Sequence, residues 1–321
     1  MTLIFFGTPE FASRCLGKIL LSRHQVAAVV SAPDRPRGRG KKLAQPEVKK
    51  LALEHGLEIL QPVRLKDPQF LKRLGSISAD LFCVVAFRIL PDEVFSMPPR
   101  GCVNLHASLL PRYRGAAPIN WALINGDQET GLTTFFIRRE IDTGDMILQE
   151  KIAIGPDETA GELHDRMADL GGDMLVKTMD LIESGNFSLL KQNSDKVTPA
   201  PKLSPELGRI DWEKTAKEIH NLIRGLSPRP GAFAYFNDKR VTLLRSKFID
   251  DNPTGKAAGE VILSDPKAGI IVACGRGKIL VIEIKPESGK AMTGADFVRG
   301  YRLKNGDYFK NRSISSDKVG I

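Results

Sequence analysis

The run LFCVVAF at residues 81–87 is apolar throughout and β-branched at its centre. Such a strand has no face to offer water and must be covered on both sides, as in a parallel sheet sandwiched by helices. Its neighbours agree. Residues 3–6, 26–30, 58–60, 102–106, 133–137 and 146–154 read as strands, while 9–21, 47–55, 68–74, 116–124 and 158–182 carry apolar residues at helical spacing. Alternation of this kind predicts a Rossmann-like α/β fold over residues 1–190, a mostly parallel sheet with helices on both faces. Ligands in such sheets sit outside the carboxyl ends of the strands.

The pattern breaks after residue 190. Residues 191–207 are polar, with Pro199, Pro201 and Pro205, and read as a linker. One amphipathic helix over 212–226 follows. Short strands then recur at 232–236, 241–248, 259–264, 269–273 and 279–284, and a last helix spans 293–303. Regular short strands predict a small OB-like β-barrel over 208–321.

Charge divides the same way. The chain carries +9 overall, and residues 208–321 hold 21 Lys/Arg against 13 Asp/Glu, so nearly all the excess lies there. Solubility explains such a surplus, and so does a polyanionic partner reached through phosphate contacts. A second basic cluster lies in the first half: Arg35, Arg37, Arg39, Lys41 and Lys42 sit among Pro36, Gly38 and Gly40. From the residues alone it is equally a solvated loop or a segment that orders on RNA.

Several chemistries are disfavoured. The first strand ends in Gly7-Thr8-Pro9-Glu10, which lacks the dinucleotide fingerprint of a nicotinamide oxidoreductase. The motifs GRGK at 38–41 and 275–278 lack the glycine and Ser/Thr frame of a phosphate loop. The five histidines show no metal-type pairing, and Asp142 with Asp145 is a weak cation site, so no metal is expected. Cys15, Cys83, Cys102 and Cys274 form no CxxC pair, which suits a reducing, cytoplasmic setting. No apolar run reaches the ~20 residues of a membrane span, and residues 1–7 read as a buried strand rather than a signal peptide.

The segment CVNLHASLLP at 102–111 carries the chemistry. Residues two apart on a strand share a face, so Asn104 and His106 leave its end side by side while Leu105 turns to the other face. An amide there can hold a developing oxyanion. An imidazole, with an ordinary pKa of about 6.5, can move a proton near neutrality. Asp142, in the turn IDTGD, can orient a histidine or cap its own turn.

The run NLHASLLPRYRGAAPINWALINGD with the later IDTGDM resembles the signature of folate-dependent formyltransferases. IFFGTPEFA, SAPDRPRGRGKKL, VVAFRILP and APKLS followed by RIDW extend the likeness over residues 3 to about 215. The resemblance implies a catalytic trio of Asn104, His106 and Asp142. It implies folate contacts at Ser108, Leu109, Leu110 and Pro111, and a pterin wall, largely of main chain, at Val85, Ala86, Phe87 and Leu90. It implies 10-formyltetrahydrofolate as formyl donor and the α-amino group of methionine on initiator tRNA as acceptor; a monomer is expected. It makes Arg35, Arg37, Arg39, Lys41 and Lys42 an RNA contact, with Arg39 foremost. Phe87-Arg88 departs from the family, where an aromatic is commonly followed by glycine. The alternatives are a formyltransferase for a small amine and a noncatalytic RNA-binding protein on the same fold.

Overall fold

A computed structural model of the chain describes residues 1–37 and 42–311. Elements follow in chain order: β1 (Thr2–Gly7), α1 (Glu10–Leu20), β2 (Gln25–Val30), β3 (Arg35–Arg37), β4 (Lys42–Ala44), α2 (Glu47–Glu54), β5 (Glu58–Leu60), α3 (Pro68–Gly75), β6 (Leu81–Val85), α4 (Asp92–Phe95), β7 (Cys102–His106) and β8 (Arg114–Gly115). Then come α5 (Pro118–Ile124), β9 (Glu129–Phe136), β10 (Met146–Ala153), α6 (Ala160–Ser184), β11 (Pro199–Ala200), α7 (Ala216–Leu226), β12 (Ala232–Phe236), β13 (Lys239–Asp250), β14 (Val261–Asp265), β15 (Gly269–Ala273), β16 (Lys278–Pro286), β17 (Met292–Thr293) and α8 (Gly294–Tyr301).

The chain forms two compact units. One comprises Met1–Ala116, Thr130–Ile152 and His164–Ala200, the other Ala117–Glu129, Ala153–Leu163 and Pro201–Ile321. The first is built on a seven-stranded sheet in the order β10-β9-β7-β6-β1-β2-β5. From β5 to β7 the neighbours run parallel, and β9 is antiparallel to β7. Strand order reverses between β1 and β6, and such sheets bind ligands outside the carboxyl ends of the strands at that reversal.

Alternate side chains go to opposite faces. Ile4, Phe6, Phe82, Val84 and Cys102 pack with Phe70 and Leu74 of α3 and Val94 of α4. On the other face Leu105 lies against Gly171 of α6, and the Cys15 thiol of α1 donates to the Ala168 carbonyl of α6. Each fully buried Leu, Ile or Phe here contributes about 1.5–3 kcal/mol. Local chemistry sets the helix starts. Asp67 caps α3 by accepting from the Gln69 and Phe70 amides, with Pro68 at its first position.

The second unit holds an antiparallel sheet in the order β12-β13-β16-β15-β14, with β17 on β16. Residues 307–310 close it into a barrel: the Lys310 backbone exchanges hydrogen bonds with Tyr235 of β12, and the Val261 amide of β14 donates to the Asp307 carbonyl. Trp212, Ile219, Ile223, Phe236, Ile279, Phe297 and Phe309 fill its core. The α/β sheet followed by an antiparallel barrel is the architecture expected from the sequence.

Two local differences are informative. β6 stops at Val85, two residues short, because Ala86 takes a positive φ of 46°. The start of the segment 191–207, read as linker, is pinned along the first unit: Leu190 just before it bridges Met146, and β11 pairs with β8. No helix among the described residues is long and apolar enough to cross a membrane.

Candidate active site

β7 delivers the two residues expected at its end. Asn104 is half-buried, and His106 is 6% exposed. Among the described residues the Asn104 side chain forms no hydrogen bond, so its amide donors stay available. His106 Nε2 lies 2.8 Å from the Tyr113 carbonyl. A carbonyl only accepts, so Nε2 carries the proton and Nδ1 is the nitrogen left for chemistry. Nδ1 faces Asp142, whose Oδ2 is 3.7 Å away. That is too long for a direct hydrogen bond and within ion-pairing range of the ring when it is protonated.

The turn bearing Asp142 is held tightly. Asp142 itself has φ 54°, and its Oδ2 accepts from the Gly115 amide at 2.9 Å. Arg138 pairs with Asp145 at 2.6 Å, and the Thr143 hydroxyl donates to the Glu140 carbonyl at 2.9 Å. Gly144 is required: a Cβ there would lie 1.6 Å from the Phe136 carbonyl oxygen.

The loop after β7 carries Ser108, Leu109, Leu110 and Pro111. The Ser108 hydroxyl donates to the Arg112 carbonyl at 2.5 Å. Thr133 of β9 accepts from the Leu110 amide and donates to the Ser108 carbonyl. The Gln149 side chain donates to the Leu110 carbonyl. Leu110 packs on Phe135 and Met146, so this loop is a rigid rim.

Beside it, Val85 pairs with Leu105 in register. Ala86 is exposed, Phe87 stands edge-on to Phe6 at 5.7 Å between centroids, and the Leu90 side chain is buried in the core. Arg88 donates from both Nη atoms to the Pro62 and Val63 carbonyls. Burial lowers its pKa, as does the nearby charge of Arg35. Here the arginine's guanidinium braces a neighbouring loop, where a glycine could not. Backbone groups of residues 86–89 lie outside the sheet ladder.

No thiol is available as a nucleophile near this edge. Burial pushes Cys83 up to about 12 and raises Cys102 well above its ordinary value. Of the basic cluster, Arg35 is exposed on a short hairpin in which Arg37 pairs with Lys42 by backbone register. Asp34 anchors its base through Lys49 and Gln61, and the Gln61 hydrogen bond leads in lowering the Asp34 pKa. Arg39 and Lys41 lie outside the described residues.

The structure thus brings His106 and Asp142 together across 36 residues, with Asn104 next to them. It also brings in residues that sequence reasoning missed: Tyr113, Thr133, Gln149, Gln192 and Thr198. No periodicity marks them, since each acts through individual polar atoms on partners that no regular spacing relates to it.

An amide, an imidazole and a carboxylate gather at the carboxyl end of β7, beside a loop held by hydrogen bonds, an arrangement able to hold an oxyanion and to move a proton. The chain belongs to the formyl transferase family: residues 1–179 match the formyl transferase model and residues 202–302 the formyl transferase C-terminal domain. At the next level, it is 43% identical to the methionyl-tRNA formyltransferase of Acetivibrio thermocellus over 96% of this chain and 99% of that protein. It is 45% identical to that of Moorella thermoacetica over 96% and 98% respectively. Among solved structures, a sugar 3N-formyl transferase, WlaRD, in the presence of dTDP and 5-N-formyl-THF, shares the fold with a TM-score of 0.67 at 21% identity. It covers 90% of this chain and 99% of WlaRD.

Proposed function

We propose that this chain transfers the formyl group of 10-formyltetrahydrofolate to the α-amino group of methionine on initiator tRNA. The observation that carries the reading is likeness along both units to relatives of that activity. Residues 1–190 carry the transfer, 191–207 connect, and 208–321 bind the tRNA, together with the basic cluster of Arg35, Arg37, Arg39, Lys41 and Lys42. The protein works as a monomer. A reaction on charged tRNA belongs in the cytoplasm, and four buried thiols suit a reducing compartment.

The methionine nitrogen attacks the formyl carbon, forming the new C–N bond and pushing the carbonyl electron pair onto oxygen. Asn104 donates to that oxygen. His106, anchored through Nε2, presents Nδ1 to the same centre, where its protonated form donates and its neutral form accepts. Asp142 orients that nitrogen and takes the proton of the attacking amine, through water. Collapse breaks the bond to N10 of the folate, which leaves with the proton that Asp142 took from the amine, returned through water. Ser108, Leu109, Leu110 and Pro111 hold the donor, with Val85, Ala86, Phe87 and Leu90 as the wall of its ring.

The test is formyl transfer to methionyl initiator tRNA beside nucleotide-linked amino sugars. Transfer to the tRNA alone is expected, and turnover of a small amine without tRNA would overturn the reading. His106→Ala should lower kcat by roughly 10²–10⁴-fold. Near-normal turnover by that variant, folded, would remove His106 from the mechanism.

A further inference from the structure

We propose that Gln192 and Thr198 are positioning residues, which hold the two left-handed residues from which the His106–Asp142 pair is built. The proposal rests on the formyl-transfer reading of that pair. Asp142 has φ 54° and Tyr113 φ 60°. Non-glycine residues seldom enter this region, and they persist there when their surroundings fix them.

Gln192 fixes the first. Its Nε2 donates to the Asp142 carbonyl and to the Gly144 carbonyl, each at 2.9 Å, and so spans the turn. Its Oε1 accepts from Arg114 Nε at 3.1 Å and Nη2 at 2.6 Å. The next residue, Gly115, gives its amide to Asp142 Oδ2. The path therefore closes on itself, from the Asp142 carboxylate through Gly115, Arg114 and Gln192 back to the Asp142 carbonyl. One planar amide, donor at one corner and acceptor at the other, is the group that fits between carbonyls and a guanidinium. A glutamate there would set a carboxylate against two carbonyl oxygens.

Thr198 fixes the second. Its hydroxyl accepts from the Tyr113 amide at 2.8 Å, and its carbonyl accepts from the Arg114 amide at 2.9 Å. The carbonyl of Tyr113 is the acceptor that sets the His106 ring. Both members of the pair are thereby oriented from one segment, 192–198, through the backbone of Asp142, Gly144 and Tyr113. A misplacement of ~1 Å in such a pair lowers turnover on the order of 10²-fold.

The experiment compares wild type, Gln192→Leu, Gln192→Glu and Thr198→Val in formyl transfer to methionyl initiator tRNA, with folding followed by circular dichroism. Each variant should lose about 10- to 100-fold in kcat with KM for both substrates within about threefold. The double variant Gln192→Leu/Thr198→Val should lose less than the product of the single losses, because both act on one unit. Nitrogen-15 spectra of the ring should show the proton on Nε2 of His106 in wild type and a weakened Nε2–H hydrogen bond in Thr198→Val. A kcat within twofold of wild type in folded variants, or a loss confined to KM, overturns the proposal. If Gln192→Leu does not fold, Gln192→Met, of equal length and unbranched, carries the same test. An inactive wild type overturns the formyl-transfer reading itself, so the two failures are distinct.

Discussion

At the scale of single residues, the site is a set of backbone positions with little tolerance. Gly144 has the least: a methyl group there would enter the Phe136 carbonyl. Gly144→Ala should destabilise the protein by about 3 kcal/mol as the turn shifts, read as a lower denaturation midpoint, and should displace Asp142 enough to reduce turnover sharply. A Gly144→Ala variant of normal stability and activity would show that the turn relaxes without cost. The His106 ring illustrates how far the sequence can be read at this scale. Its strand-end position next to Asn104 follows from the two-residue repeat. Which nitrogen is free does not, because that depends on a carbonyl from Tyr113 placed by a turn with no local signal.

At the scale of elements, α7 shows sequence logic carried through. Thr215 and Glu218 form a reciprocal capping box at its start. Thr215→Ala should cost about 1 kcal/mol in unfolding free energy. The buried face of the same helix carries His220, which donates from Nε2 to the Pro156 carbonyl and accepts at Nδ1 from the Ser246 hydroxyl. Burial chiefly, with the charge of Arg224, holds its pKa below the ordinary value, against the opposing pull of the Pro156 carbonyl and Asp157. A folded pKa below the unfolded one means that the unfolded chain takes up the proton first. This contribution is intact above about pH 6.5 and is lost as pH falls from there through the lower folded value. His24 is depressed in the same direction, also chiefly by burial. Comparison with His220→Gln therefore isolates the effect. The variant should show a shallower loss of stability on acidification, and an unchanged slope would rule out His220 as a source.

At the scale of the whole molecule, charge is the property that bears on the partner. The surplus of basic residues over 208–321 and the hairpin at Arg35 predict that affinity for tRNA falls steeply with salt. For about four phosphate contacts the loss between 50 and 200 mM salt is on the order of 10²-fold. A filter-binding titration with a flat salt response would remove the phosphate contacts from the account. The same scale separates what the sequence determined from what tertiary structure decided. Apolar periodicity alone specified an α/β sheet followed by an antiparallel barrel, since burial of a strand or helix face is written in residues two or three to four apart. It also placed Asn104 and His106 together, because a strand fixes that relation locally. The 3.7 Å approach of Asp142 to His106, the closing of the barrel by residues 307–310 and the role of residues 192–198 against the site were decided only in three dimensions. These are contacts between single polar atoms far apart in the chain. Each is set by backbone turns whose geometry no repeat along the sequence records.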